Sequence, residues 1–467
     1  MTGPFHRILR RITALLMIMQ CSVAMAQGPT GTLPIVYVNT ASGDSITSAK
    51  EYLLASYWVD PCGHADCPAV GSADKPLSLE IRGRGNFTWD YFDKKPYRLR
   101  LIKSQPLLGM AKNDSFLLLA HADDNRAFLR NTVGFELSRR IGMPYTPEQR
   151  PCELVINGDY RGLYFLTERV ELDRQRVNIS RPFDRDTTAD AARGAWLVEI
   201  DNNWNEAQLQ FDVEGTDLKM FWITHHAPEE LSTVQRDWLD QEFRDVLESI
   251  YRPGADSTRW EQHFDLESLT RFYIVNEIVD HIEAFVGSCY MYRDKDEQQW
   301  HFGPVWDMGH AFNSTHSKQR FIYDESPFPV SIIKRIATFP RFQAEVRRVW
   351  RTFYPAGLDG METFMLDFLA DINAAAEANA QRWPQYESTD LAYSTDKAFK
   401  AYREKVAWLA NQWSGADTGI SDTSVSPVNL QSQSSVRYNL NGQRVGRGYK
   451  GVVVSAKNAP RVLTITD

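Results

Sequence analysis

Alternating apolar and polar residues dominate the first third of the chain. Because alternate side chains of a strand face opposite sides of a sheet, such alternation predicts strands, as do short runs rich in β-branched and aromatic residues. The strands predicted in this way cover residues 33–40, 77–82, 97–101 and 116–120. Asn157-Gly158 separates two further apolar segments, 153–156 and 160–167. It predicts a tight hairpin, because type I′ turns need positive φ at both central residues.

Elsewhere apolar residues recur at spacings of three and four, the period of an amphipathic helix. One such helix contains Phe128, Val133 and Phe135 and ends at Gly142, a residue that favours a left-handed C-terminal cap. The other predicted helices cover 229–251, 266–285, 339–354 and 361–413, the last with a turn near Pro384. Further strands are predicted at 196–200, 289–293 and 300–305, with three short ones after residue 435. Strands followed by helices indicate an α+β fold.

The two ends of the chain differ in composition from its body. Three arginines precede an apolar run over residues 12–26 that closes with Ala-Met-Ala, a pattern typical of a cleaved secretory signal. The run is too short and too interrupted for a transmembrane helix, which takes about 20 apolar residues. We therefore expect a protein without a membrane span that is secreted, periplasmic or held at the outer cell surface.

These boundaries predict five parts. Segment 1–26 is a signal peptide, 27–75 is an N-terminal β segment that packs on the body, 76–413 is the main domain, 414–435 is a linker and 436–467 is a short β tail. The linker is rich in Ser, Thr, Asp and Gly and lacks apolar periodicity. The tail, with YNLNGQRV and KGVVV, resembles the short tails of secreted Bacteroidetes proteins, some of which are sorting signals. A purely structural β module fits the tail equally.

The composition is that of a folded, acidic protein. Of its 467 residues, 43% are hydrophobic and 12% are aromatic, which is enough to fill a large core. The formal net charge is −8, and subtracting the three arginines of the signal segment leaves −11. A surface of this sign does not favour nucleic acids or anionic membranes, so we expect neither as a partner.

Four cysteines lie outside the signal segment. Cys62 and Cys67 are separated by four residues, and in an oxidising compartment we expect them to form a disulfide. Zinc binding with His64 is the alternative, although the segment offers only three local ligands. Cys152 and Cys289 are predicted to be buried thiols.

Candidate chemistry is concentrated in residues 276–312. The pattern predicts a helix, an acidic loop, a strand, a polar turn and a second strand that leads to Asp307-Met308-Gly309. In protein kinases a catalytic carboxylate is followed five residues later by a metal-binding amide, and a hairpin then delivers the aspartate that binds magnesium. In this order Glu283 corresponds to the base, Ser288 to the second metal ligand and Asp307 to the magnesium ligand. Magnesium prefers hard oxygen ligands, and a carboxylate must accept the acceptor hydroxyl's proton.

Five sequence blocks occur in the order found in the CotH (spore coat protein H) kinase-like family. The blocks are RGRGNFTW, DKKPYRLRL, LLLAHADDNRAFLRNTVGFELSRRIG, VINGDYRGLYFLTERV and FGPVWD. Five ordered blocks are far more specific than one motif, so the chain resembles that family. The resemblance implies an atypical protein-kinase-like fold with a β-rich N-lobe and a helical C-lobe.

The resemblance also implies a nucleotide-binding group in the N-lobe. Its nucleotide-covering loop, where absent side chains admit phosphate to backbone N–H groups, is matched by Gly83, Arg84 and Gly85. Lys95 matches the lysine expected to meet the phosphates, and Arg98 or Arg100 is an alternative source of that charge. All three equally fit a basic edge strand protected against aggregation.

Three acidic or amide positions complete this set. Glu136 is the candidate partner of Lys95, as in the lysine–glutamate pair of kinases, unless it is a surface carboxylate. Asn276 and Glu277 match the family's Asn-Glu pair, which either positions the acidic loop or forms hydrogen bonds within its own helix.

Three positions depart from the family's usual residues. Family members usually carry Asp in place of Glu283, Asn in place of Ser288 and a D-x-D motif where this chain has Asp307-Met308-Gly309. Glutamate is one methylene longer than aspartate, and a misplacement of about 1 Å can cost on the order of a hundredfold in rate. Asp280, three residues before Glu283, is the alternative base.

The function implied by the resemblance is phosphoryl transfer from ATP, with Mg²⁺ or Mn²⁺, to Ser or Thr hydroxyls of exported proteins. The alternative is a catalytically inactive kinase-like module that binds a protein or glycan partner at the cell envelope. A hydrolase with two carboxylates is a third hypothesis, for which Glu283 and Asp307 would have to lie about 5 to 9.5 Å apart.

Overall fold

The computed structural model describes residues 28–188, 190–201, 209–214, 216, 218, 221–252, 259–312, 319–324, 331–386 and 390–415, with the backbone of three strands within 436–466. The expected signal peptide, 1–26, and nearly all of the expected linker, 414–435, lie outside the described residues. None of the described helices is long and apolar enough to cross a membrane.

Seven strands in the N-terminal part form a closed barrel. They are β1 (Ile35–Thr40), β2 (Leu53–Asp60), β3 (Leu77–Gly83), β4 (Tyr97–Gln105), β5 (Asn113–Leu119), β6 (Gln149–Ile156) and β7 (Asp159–Glu168). Their order is β1-β2-β3-β4-β5-β7-β6, and parallel pairing of β1 with β6 closes the barrel. Segment 27–75 therefore contributes two strands of the barrel itself.

A second sheet and most of the helices form the C-terminal part. The sheet contains β8 (Trp196–Asp201), β9 (Leu209–Phe211), β10 (Phe221–Ala227), β11 (Cys289–Arg293) and β12 (His301–Phe302), in the order β12-β11-β8-β10-β9. The helices are α1 (Phe87–Tyr91), α2 (Leu129–Ile141), α3 (Thr233–Tyr251), α4 (Leu266–Ile278), α5 (Ile332–Ile336), α6 (Pro340–Phe353), α7 (Met361–Arg382) and α8 (Leu391–Trp413). The predicted mixture of a β-rich first part and a helical second part is confirmed.

Two clusters of buried apolar side chains stabilise these parts. One fills the barrel and includes Leu79, Ile81 and Phe116. The larger one joins the second sheet, the helices and the barrel face formed by β5 and β7, where Leu117 and Phe165 belong to it. Burial of apolar surface on this scale is the main stabilising term of the fold.

The predicted hairpin turn and helix cap, both of which need residues with positive φ, are confirmed. Asn157 and Gly158 have φ of +52° and +78° and join β6 to β7, as expected for a type I′ hairpin. Gly142 ends α2 with φ of +82°, and its N–H donates to the carbonyl oxygen of Arg139.

Two predicted elements are shorter in the structure. The helix expected over 266–285 ends at Ile278, because Asp280 has a left-handed φ of +54° that a helix does not accommodate. The strand expected over 300–305 contains only His301 and Phe302, because Gly303 has φ of +120° and Pro304 has no N–H to donate to a ladder.

The three short strands predicted in the tail are present. β13 (Val436–Asn439), β14 (Gly451–Ala456) and β15 (Val462–Thr466) form an antiparallel sheet in that order. The turn predicted at Asn441-Gly442 lies outside the described residues.

Candidate functional site

The loop between β3 and α1 depends on two glycines. A Cβ atom on Gly83 would lie 2.2 Å from the indole ring of Trp89, so a larger residue there would displace the ring. Gly85 has φ of +78°, a conformation that side-chain-bearing residues rarely adopt. Arg84, between them, interacts electrostatically with Asp307 and Tyr290. The loop therefore brings a cation from the barrel to the segment after β12 that carries Asp307.

The basic residues of β4 have different surroundings. Burial, together with nearby Arg169 and Arg82, lowers the pKa of Arg98 to about 10. Arg169, like Arg84, interacts with Tyr290, so Arg84, Arg98 and Arg169 form one arginine group. Arg100 instead forms an ion pair with Glu80 at the surface.

Lys95 and Glu136 are not brought together. The Nζ atom of Lys95 donates to the backbone oxygen of Trp89 and lies 5.3 Å from the centroid of its ring. Glu136 is ion-paired within its own helix, 2.7 Å from Arg140 Nε and 3.7 Å from Arg139 Nη1. In the structure Glu136 therefore has the surroundings of a surface helix carboxylate, and Lys95 those of a cation tied to α1.

Asp307 lies at the centre of the polar site. Its side chain is exposed to solvent, yet desolvation by the surrounding protein raises its pKa. Asp123 and Glu199 raise the pKa of Asp307 further, while Arg84 and His121 lower it. A solvent-accessible but crowded carboxylate with charged neighbours of both signs is characteristic of a functional cleft.

The second sheet supplies the far side of this site. Glu199 on β8 is buried, and its Oε2 atom lies 2.7 Å from Nε2 of His226 on β10. Tyr290 on β11 interacts with the same carboxylate, and burial raises the pKa of Tyr290 well above its ordinary value. Tyr290 thus connects the carboxylate of Glu199 to the arginine group.

Glu283 reaches the site through His310. The Oε2 atom of Glu283 lies 3.3 Å from Nε2 of His310. Burial and Arg130 lower the pKa of His310, while Asp307 and Asp123 raise it. The proposed base and the proposed metal ligand thus interact with the same imidazole.

Left-handed backbone recurs at these residues. His121, Ser288 and Asp307 have φ of +46°, +52° and +50°, which is uncommon outside glycine. Such conformations cluster at functional sites, where the surrounding structure holds them in place. Asn tolerates this conformation better than Ser, so Ser288 carries a larger backbone penalty than the Asn expected there from the sequence resemblance.

Asp280, Glu277 and Asn276 belong to a buried network behind the acidic loop. The Nζ atom of Lys405 on α8 lies 2.8 Å from Glu277 Oε2 and 3.3 Å from Asp280 Oδ1, and all three side chains are fully buried. Arg320 Nη2 lies 3.5 Å from Asp280. Asn276 donates from Nδ2 to Phe272 within α4, and its backbone oxygen accepts the His281 N–H, so it contacts both its helix and the loop.

The cysteines are separate from this site. Cys62 and Cys67 carry free thiols in the structure, and an electrostatic interaction between them contributes to a pKa of Cys67 that burial raises to about 11. Their disulfide stays a prediction. Cys152 and Cys289 are buried, as predicted, and burial raises the pKa of Cys152 to about 12.

The residues present fit a nucleotide with a divalent cation. In the part of the chain that the structure describes, the guanidinium groups of Arg84 and Arg98 have no hydrogen bond or ion pair, and phosphate oxygens are the natural partners of such groups. No three His, Cys, Asp or Glu side chains among the described residues are grouped closely enough to hold a metal ion. Magnesium is usually held by one or two carboxylates together with substrate phosphates, so Asp307 fits that role.

Sequence patterns do not predict several members of this site. His121, Asp123, Glu199, Arg169 and His310 all adjoin buried apolar segments. An ionisable residue within or shortly after a buried strand is the local signal for all of them except His310, as in HADD after β5 and ERVE at the end of β7. Which of them meet depends on how the barrel faces the second sheet.

These elements define a mixed α/β protein with a cluster of ionisable groups between a glycine loop, a barrel strand end and a second sheet. The family model of the CotH kinase protein matches residues 81–411, and the chain belongs to that family. The match spans every site residue discussed from Gly83 to Lys405 and confirms the family predicted from the five sequence blocks. A search of curated proteins found no match.

Proposed function

We propose that this protein is a secreted CotH-type kinase that transfers a phosphoryl group from ATP to Ser or Thr hydroxyls of exported proteins. The observation that carries the proposal is the arrangement of charge at Asp307. Arg84 of the arginine group, Asp123 and Glu199 all act on the charge of this carboxylate, and Glu283 is linked to it through His310. Family membership supports the same reaction class.

The arginine group would bind the nucleotide. Arg84 and Arg98 present guanidinium groups that suit phosphate oxygens, and Arg169 is near enough to lower the pKa of Arg98. Gly83 and Gly85 let the loop backbone pack closely against α1, where a Cβ atom on either would meet Trp89 or Thr88. We therefore propose the barrel as the N-lobe and the helical part as the C-lobe of an atypical kinase-like fold.

Asp307 would hold Mg²⁺ or Mn²⁺, with Ser288 as a second oxygen ligand. Bound between Asp307 and the phosphates, the cation would neutralise charge that develops during transfer. Glu283 would accept the proton of the acceptor hydroxyl as its oxygen bonds to phosphorus and ADP leaves. His310 holds the Glu283 carboxylate in place. Asp280, buried against Lys405, is better placed to support the loop than to receive that proton.

Export and the division of the chain belong to the same proposal. The basic and apolar segment 1–26 would direct export, and exported proteins or envelope partners would then be the available substrates. The main domain would span 76–413 together with β1 and β2, and the tail beyond the linker would act as a sorting signal or a β module. The net charge of −8 gives no reason to expect a nucleic-acid partner.

Phosphoryl transfer from γ-labelled ATP tests the proposal. The purified chain, residues 27–467, is incubated with MnCl₂ and labelled ATP, with casein added as a generic acceptor. We expect label in casein or in the chain itself, and loss of about a hundredfold or more of the rate in Glu283→Gln with nucleotide binding retained. Nucleotide binding without any transfer would identify the inactive binding module instead. Absence of both binding and transfer would contradict the proposal.

A further inference from the structure

Lys94 is a fully buried lysine next to the lysine singled out by the sequence. It is 1% exposed, and its Nζ atom donates to the backbone oxygens of Ala120 at 2.7 Å and Leu163 at 2.6 Å. The face of the Tyr164 ring lies 4.9 Å from the same nitrogen. Among the described residues no carboxylate pairs with it, so the ammonium is stabilised by two carbonyl groups and an aromatic ring.

The two carbonyl groups lie where a β-ladder opens. The pairing of β5 with β7 runs from Phe116 and Glu168 to Leu119 and Phe165 and then ends. Ala120 lies one residue beyond this last pair and Leu163 lies two residues beyond it, and buried backbone oxygens without a donor are strongly unfavourable. The Lys94 ammonium supplies a donor to each oxygen and so joins the two strands at the point where they separate.

The loop that leaves this point enters the candidate site. His121, the residue after Ala120, has φ of +46°, and Asp123 follows two residues later. Both interact electrostatically with Asp307. The direction of this loop is therefore set at the carbonyl group that Lys94 holds.

We propose that Lys94 is a positioning residue that fastens the open end of the β5–β7 ladder and thereby holds His121 and Asp123 beside Asp307. Its role differs from that of a phosphate-binding lysine, because its three donors are directed at two carbonyl oxygens and a ring inside the protein. The consequence for nucleotide binding rests on the proposed function, whereas the effect on the loop does not.

The charge of Lys94 makes this positioning sensitive to pH. The titratable groups that face it are Cys152 on β6, Tyr164 on β7 and His121 after β5. Burial lowers the pKa of Lys94 to about 7, so the amine is mostly protonated at pH 6 and mostly neutral at pH 9. A neutral amine is a weaker donor to the two carbonyl oxygens.

Hydrogen exchange of the loop tests the proposal directly. Lys94→Met keeps the length and volume of the side chain and removes the donors, and Lys103→Met, at an exposed position of β4, the strand that follows Lys94, is the matched control. We expect amide exchange in residues 120–124 to accelerate on the order of tenfold or more in Lys94→Met and to stay unchanged in Lys103→Met. Equal exchange in the two variants would overturn the positioning role.

Two further measurements distinguish the alternatives. Calorimetry with Mn-ATP should show weakened binding in Lys94→Met together with faster loop exchange. If Lys94→Met loses Mn-ATP binding while amide exchange in residues 120–124 is unchanged, Lys94 is a direct phosphate ligand and the proposal is overturned. If the wild type does not bind Mn-ATP, only the proposed function is contradicted. Should Lys94→Met not fold, the wild type at pH 6 and pH 9, corrected for intrinsic exchange, should show faster exchange in 120–124 at pH 9. Unchanged exchange there would also overturn it.

Discussion

Replacing Lys405 by Met tests the buried ion network behind the acidic loop. The ammonium lies 2.8 Å from Glu277 Oε2 and 3.3 Å from Asp280 Oδ1, and it also donates to the Arg320 backbone oxygen at 2.6 Å. Methionine has nearly the same length, so the substitution removes charge and hydrogen bonds while leaving the volume filled. Two buried carboxylates then lose the ammonium placed between them.

The magnitude follows from the burial of all three groups. Glu277, Asp280 and Lys405 are fully buried, so solvent cannot screen the carboxylates once the ammonium is gone. Removing one partner of such a buried pair typically lowers the free energy of unfolding by about 3–5 kcal/mol. Lys400→Met, at an exposed position of the same helix, should change it by less than about 0.5 kcal/mol.

The pH dependence has a definite sign. Burial already raises the pKa of Glu277 and Lys405 opposes that shift, so the variant raises the pKa of Glu277 further. An acid with a raised folded pKa binds more protons when folded than when unfolded, so its contribution to stability falls as pH rises through that range. The loss of unfolding free energy in Lys405→Met relative to the wild type should therefore be largest near pH 8 and should become smaller towards pH 5.

Urea unfolding followed by fluorescence at pH 8 and pH 5 measures this deficit, with Lys400→Met as the control. A deficit below about 1 kcal/mol at pH 8, or one that grows on acidification, would refute the reasoning. Such a result would mean that Lys405 does not compensate the charge of the network, and Asp280 would again be a candidate base.

Three further predictions concern other parts of the chain. Gly83→Ala should lower the free energy of unfolding, measured by urea denaturation, by about 1–3 kcal/mol and should weaken nucleotide binding, because its Cβ atom would displace Trp89. Gly28→Ala, at a position with open space around it, is the control and should have neither effect. Thiol titration of denatured protein from an oxidising compartment should find two free thiols, from Cys152 and Cys289, and four would exclude the disulfide. Truncation after Ser414 should leave the melting temperature within about 2 °C of the full chain, and a larger fall would make the tail part of the core.

Local chemistry made much of the fold predictable. The Asn157-Gly158 turn, the Gly142 cap and the periodicity of most helices require only neighbouring residues. Closure of the barrel could not be predicted from such local signals, because it depends on pairing between distant residues, as between Ile35 on β1 and Glu153 on β6. The sequence did not predict that the helix ends at Ile278, because apolar residues keep the helical spacing through Ile282. The backbone nevertheless leaves the helical conformation at Asp280.

The candidate site was also predictable only where local sequence motifs carry its residues. Asp307, Glu283 and Arg84 follow from ordered motifs, and the structure brings them into one electrostatic network. Glu199, which faces Asp307 from β8, belongs to a strand whose local pattern indicates only burial. The sequence motif does not distinguish Lys94 from Lys95. In the structure Lys94 is buried and donates to a carbonyl oxygen where the β5–β7 ladder opens, whereas Lys95 donates to the backbone oxygen of Trp89.

The central claim is that Asp307 completes a metal–nucleotide site, and thermal unfolding of the wild type and Asp307→Asn with ATP and MnCl₂ tests it most directly. At a ligand concentration a hundred times the dissociation constant, binding should stabilise the native wild type by about 2.7 kcal/mol, which corresponds to roughly 3 °C in melting temperature for a body of this size. Asp307→Asn keeps the shape of the side chain but lacks its negative charge. It should melt close to the wild type without ligand and show little shift with it. No shift in the wild type, or equal shifts in both proteins, would contradict the assignment.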